Sequence, residues 1–208
     1  MVKLITTVAL LLFVSLVTSA QTQFEKGMGN ALKLWGEGKN TEAIAQFERI
    51  ASVEKTNWLP NYYIATINTF QAFGEKDKTK MKNLLDAAQK AQDEINTLAP
   101  ENAEVLVMQA MIHTAWIVYD PMTNGQKLYQ DVLFLYGKAE KIAPENPRVV
   151  FNKADFEKGG AEYFGGDTAP MCEKIKASIN LFANFKPETP LHPNWGLERA
   201  KQEAESCK

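Results

Sequence analysis

Two cysteines, two histidines and no block of basic residues narrow what this chain can do before any pattern is sought. A metal centre needs three or four ligands with local pairing, such as H-E-x-x-H or C-x-x-C. His113 and His192 stand far apart and neither spacing occurs, so no metal site and no cofactor is expected. His113 reads as a core histidine and His192 as a loop residue. Nucleic-acid binding needs a basic stripe. The formal net charge is −2, and acids and bases alternate as they do on solvated helix faces, which excludes nucleic acid as a partner. No G-x-S-x-G, Walker loop or dinucleotide fingerprint is present. The paired glycines Gly159-Gly160 and Gly165-Gly166 read as helix-ending turns. Asp93, Glu94 and Glu140 read as solvated carboxylates. No catalytic residue emerges, and the chain is not expected to be an enzyme.

Long hydrophobic runs are equally scarce. The first twenty residues carry one charge, Lys3, then an apolar run over 4–17 broken only by Thr6, Thr7 and Ser15, then Thr18-Ser19-Ala20. This is the layout of a secretory signal peptide, 1–20, with cleavage after Ala20. The competing reading, an uncleaved anchor, meets a core too short for a span of about 20 residues. The mature segment, 21–208, is then periplasmic or secreted, with no membrane span. A second apolar stretch, 105–119, is interrupted by Gln109 and His113 and reads as a buried core helix.

What the chain does have is helical periodicity. Phe24, Met28, Ala31, Leu32 and Trp35 make one stripe; Ala43, Ile44, Phe47, Ile50 and Ala51 make the next. Gly36 and Gly38 separate them, and Asn40 is the expected N-cap of the second helix. Continued along the chain, the pattern predicts helices over 22–37, 40–54, 59–73, 78–98, 101–119, 125–142, 146–160, 169–185 and 194–206, with no strand.

Ala43 and Phe47 satisfy an A-x3-F signature. Ala31, Ala65, Ala110 and Ala154 fall mid-way along successive first helices, and Lys55, Pro100, Pro144 and Pro187 fall at closing positions. In these residues the chain resembles the tetratricopeptide repeat family. Phe164-Gly165-Gly166 and Pro193-Asn194-Trp195-Gly196 resemble turns of an exported bacterial branch of that family whose function is unassigned. The resemblance implies an all-α, right-handed helix–turn–helix solenoid of about four helix pairs, closed by a C-terminal capping helix. The alanines are 34, 45 and 44 residues apart, so the later repeats exceed the usual 34. Helices or turns must be longer to accommodate this.

Cys172 opens the second helix of the fourth repeat and Cys207 ends the capping helix. The turn between them centres near Pro190, 18 residues from one cysteine and 17 from the other. In an antiparallel hairpin of equal rise the two far ends meet. In an oxidising compartment this predicts a disulfide, the alternative being two free or buried thiols.

Carried through the alanine register, the resemblance places a partner-binding groove at Met28, Leu32 and Trp35; Tyr62, Thr66, Thr69 and Phe70; Val107, Met111 and Thr114; and Arg148, Phe151 and Asp155. The same stripe is also what a plain core looks like. The basic residues available for clamping a peptide carboxylate are Arg148 and Lys158. The elongated edge at 75–80 and 120–125 is a rival surface. Two functions remain open: an exported protein-interaction or scaffold module of the bacterial envelope with an unknown protein or peptide partner, or a helical small-molecule or lipid-binding protein of the periplasm.

Overall fold

Most of the helices begin where a side chain or a proline deals with their free N–H groups. The computed structural model describes residues 23–207, and among them every regular element is a helix. These are α1 (23–36), α2 (Asn40–Val53), α3 (Leu59–Gly74), α4 (Lys78–Leu98), α5 (Ala103–Tyr119), α6 (Pro121–Ile142), α7 (Pro147–Phe164), α8 (Ala169–Asn184) and α9 (Leu197–Ser206). The expected signal peptide, 1–20, lies outside the described residues. Asp77 accepts from the Thr79 and Lys80 amides to start α4, and Asn102 accepts from the Glu104 amide to start α5. Asn146 accepts from the Arg148 and Val149 amides, with Pro147 fixing the first turn of α7.

Several expected boundaries move. Asn40 lies inside α2, and the position before it, Lys39, makes no side-chain cap bond. Asp120 caps α6 through the Thr123 amide with Pro121 behind it, so residues 120–125, expected as a turn, are the first helical turns of α6. Gly159 and Gly160 do not end α7. The helix runs through them to Phe164 and stops at Gly165, whose φ of 72° is left-handed, with the Gly166 amide donating back to the Ala161 carbonyl at 2.7 Å. The added length is therefore helix: α4 has 21 residues and α6 has 22, against 14 in α2.

Consecutive helices pack on one another, and α3, α5 and α7 also pack side by side. At the centre of that row, α5 is buried without interruption from Ala103 to Ile112, which accounts for its all-round apolar sequence. No helix among the described residues is long and apolar enough to cross a membrane. One large core joins α1 to α7, including Phe47, Tyr63, Ile95, Met108 and Tyr136. A separate cluster of Phe151, Ala154, Cys172, Ile175 and Ala200 seats α8 and α9.

Cys172 and Cys207 form a disulfide, with Cα atoms 5.4 Å apart and a sequence separation of 35. The bridge fastens both ends of the segment that leads from α8 through α9. Replacing both cysteines by serine is expected to lower stability by about 2–4 kcal/mol. Chemical denaturation of the oxidised protein and the variant, compared side by side, measures this. An unchanged midpoint would mean that packing alone holds α9.

Candidate functional site

The row formed by α3, α5 and α7 carries two arrangements along its length, one closed and one open. In the closed one, Arg148 of α7 is fully buried against Glu104 of α5. Its Nε donates to Glu104 Oε2 at 2.7 Å and its Nη2 to Oε1 at 2.6 Å. Asn146 adds a third donor to the same carboxylate at 2.6 Å. Two charges withdrawn from water are tolerable only when paired and hydrogen-bonded in this way.

The segment between α8 and α9 covers this pair. The Tyr63 hydroxyl donates to the Leu191 carbonyl at 2.8 Å, and the Trp195 indole donates to the Tyr62 hydroxyl at 3.1 Å. Arg148 Nη1 reaches the Trp195 carbonyl at 3.4 Å, and the Phe185 ring lies 4.5 Å from the guanidinium carbon. Burial pushes the Tyr62 phenol well above its ordinary pKa and holds it as a neutral donor and acceptor. His192 belongs to the same cover, edge-on to Trp58 with Thr189 Oγ1 2.8 Å from its Nδ1. His113 is half-buried on α5, and desolvation lowers its pKa.

The open arrangement is a cleft of about 1220 Å³. Its walls are the ends of the lengthened helices. From α5 come Met111, Thr114, Ile117 and Val118; from α6, Met122, Gln126, Tyr129 and Tyr136. From α7 come Phe151, Asp155, Phe156, Gly159, Gly160, Tyr163 and Phe164. Phe70 and Phe73 of α3 and the stretch 194–199 close the remaining sides. The spacing of three or four within each helix sets these residues on one face. Gly160 is needed for the packing: a Cβ there would lie 2.7 Å from the Tyr129 hydroxyl. The Tyr129 and Phe156 rings sit 5.1 Å apart, tilted by 37°.

The cleft's edge is apolar where water would favour polar groups. Phe73, Val118, Met122, Tyr163 and Phe164 are all exposed, the last to 75%. Clustered exposed apolar side chains around a concavity mark a binding surface. At the α9 side the lining turns polar. Arg199 Nη2 contacts Asp155 Oδ2 at 3.1 Å, and burial raises the Asp155 carboxyl above the usual carboxylate range while Arg199 opposes the rise.

The expected groove residues divide between the two arrangements. Phe70, Met111, Thr114, Phe151 and Asp155 line the cleft. Tyr62, Thr66, Thr69, Val107 and Arg148 are buried, and the chain's own segment lies across the charge pair. Met28 is buried in the α1–α2 end of the core. Lys158 is held by Glu162 at 2.6 Å. The residues that sequence reasoning missed are Met122, Tyr129, Phe156, Tyr163 and Trp195: Met122 and Tyr163 lie in helix turns beyond the expected boundaries, Tyr129 and Phe156 lie within expected helices but were not assigned to a groove, and Trp195 lies in the stretch before α9. One signal was present in the sequence: Phe156 and Tyr163 stand seven residues apart, two helical turns on one face across the glycine pair.

No family model matches the chain, and no curated protein matches it. Among solved structures, the chain is similar to the HusA haemophore from Porphyromonas gingivalis, with a TM-score of 0.75 and 24% sequence identity. The likeness covers 89% of this chain and 92% of that one, and it bears on the fold.

Proposed function

We propose that this protein is an exported carrier of a flat, apolar small molecule of tetrapyrrole size, bound in the open cleft. Of the two functions that the sequence leaves open, small-molecule binding has the better support. The observation that carries it is the aromatic lining continued onto an exposed apolar edge. At about 1220 Å³ the space exceeds the roughly 300–1,000 Å³ of common ligand pockets, so it suits a large ligand. Ring faces of Phe70, Tyr129, Phe156 and Tyr163 favour a planar partner, which they meet by offset or edge contacts. The structural neighbour's name, a haemophore, agrees with this class. A peptide partner in the expected groove has less support, because Tyr62, Thr66, Thr69, Val107 and Arg148 are buried, and Trp195 of the chain itself contacts Tyr62 and Arg148.

The packing of α3, α5 and α7 in a row supports a tetratricopeptide-like arrangement of helix pairs. The disulfide supports export.

Titration of the oxidised protein with haem and with metal-free protoporphyrin tests the function. One ring per chain is expected, with a shifted ring absorbance and quenched fluorescence from Trp195. No spectral change with either ring, together with uptake of a fluorescent fatty acid, would replace a tetrapyrrole by a lipid.

A further inference from the structure

We propose that Arg199 selects, among ligands that fit the cleft, those carrying a carboxylate at their edge. This rests on the reading of the cleft as a small-molecule site. Arg199 is the only cation among the described residues that line it. Its place is fixed from both sides. Gly196 turns the chain into α9 with a φ of 115°, and a Cβ there would lie 2.7 Å from the Phe182 ring, so no other residue makes this entry without strain. At the far end of α9 the disulfide anchors Cys207 to α8.

The guanidinium is positioned but not consumed. Both of its protein contacts, to Asp155 Oδ2 at 3.1 Å and to Glu203 Oε1 at 3.4 Å, use Nη2. An arginine carries five N–H donors. The three on Nε and Nη1 have no hydrogen-bond partner among the described residues. Asp155 and Glu203 therefore act as positioning residues, holding one nitrogen and leaving the rest of the group for a ligand.

The surroundings restrict what that ligand group can be. The Arg199 side chain is 57% exposed, so a carboxylate meeting it keeps part of its hydration and escapes the full cost of burial. Asp155, Glu198 and Glu203 stand nearby, the second paired to Lys201 at 2.8 Å. This acidic company disfavours a more highly charged phosphate at the guanidinium, and suits the single charge of a carboxylate there. The rest of the ligand must be apolar to suit the aromatic walls.

The test compares metal-free protoporphyrin with its dimethyl ester, on the intact oxidised protein and on Arg199→Gln and Arg199→Lys. The wild type is expected to bind the acid on the order of tenfold more tightly than the ester, the size of one charge-assisted hydrogen bond. Arg199→Gln is expected to remove that preference by weakening the acid alone, and Arg199→Lys to keep most of it. Equal binding of acid and ester by the wild type would overturn the inference. So would an Arg199→Gln loss that falls equally on both forms, since that marks a structural role. If neither form binds any variant, the cleft reading itself fails, and this inference with it.

Discussion

Arg148→Met is expected to melt roughly 10 °C or more below the wild type. The substitution leaves the Glu104 carboxylate in the middle of the protein with its two strongest donors gone, at 2.6 and 2.7 Å. Asn146 remains as its near donor, and an amide does not neutralise a charge. Removing one partner of a buried pair costs about 3–5 kcal/mol. For a chain of this size each kcal/mol moves Tm by about 2–4 °C. The substitution also frees the Trp195 carbonyl and removes the cation from the Phe185 ring, loosening the cover over the pair. Differential scanning calorimetry measures the loss. The companion double variant, Glu104→Leu with Arg148→Met, is expected to recover most of it, because no lone charge remains. A double variant as unstable as the single one would show that the pair contributes net stability and not merely mutual neutralisation.

Gly159→Trp is expected to weaken ligand binding severely while leaving the fold intact. Gly159 lines the cleft, and a Cβ at this position meets nothing within 4 Å, so the backbone accepts a side chain. Replacing a helix-interior glycine also removes a cost of about 0.5–1 kcal/mol. The indole then occupies space that the ligand's ring requires. A loss of about 3 kcal/mol in binding, on the order of 100-fold in Kd, is expected. The neighbouring position gives the contrast. Gly160→Ala presses a methyl to 2.7 Å from the Tyr129 hydroxyl, so it moves a wall of the cleft and costs stability as well as affinity. Titration and thermal melting of both variants separate blocking from distortion. Unimpaired binding by Gly159→Trp would place the ligand elsewhere on the protein.

Most of the helices were legible in the sequence because an apolar stripe or run follows a start signal. The stripes at Ala43 and Phe47 and over residues 105–119 lead directly to buried faces. The cysteine pairing was legible for a related reason, since equal arms about Pro190 leave the two far ends close together. Two things were not. Helix length is misread where glycines invite a stop: Gly125, Gly159 and Gly160 all lie within helices that neighbouring packing continues past them. Those added turns carry Met122, Tyr163 and Phe164 to the cleft, so misreading them hides that part of its wall. The second gap was the segment between α8 and α9. Nothing local in Leu191 or Trp195 announces that their partners are Tyr63 and Tyr62, more than a hundred residues earlier. Such pairings are tertiary facts, and periodicity does not encode them.

Those two hydrogen bonds, spanning 128 and 133 residues, alter how the molecule must come apart. In an ordinary repeat array each unit touches only its neighbours, and stability is a running sum that can be shortened from either end. Here the last part of the chain reaches back across α7 and α5 to α3. These contacts close a ring from α3 to the segment before α9, and the C-terminal part cannot detach without exposing the Glu104–Arg148 pair. During synthesis the same ring stays open until residue 195 has emerged, so the centre of the protein is the last part of it to become dry.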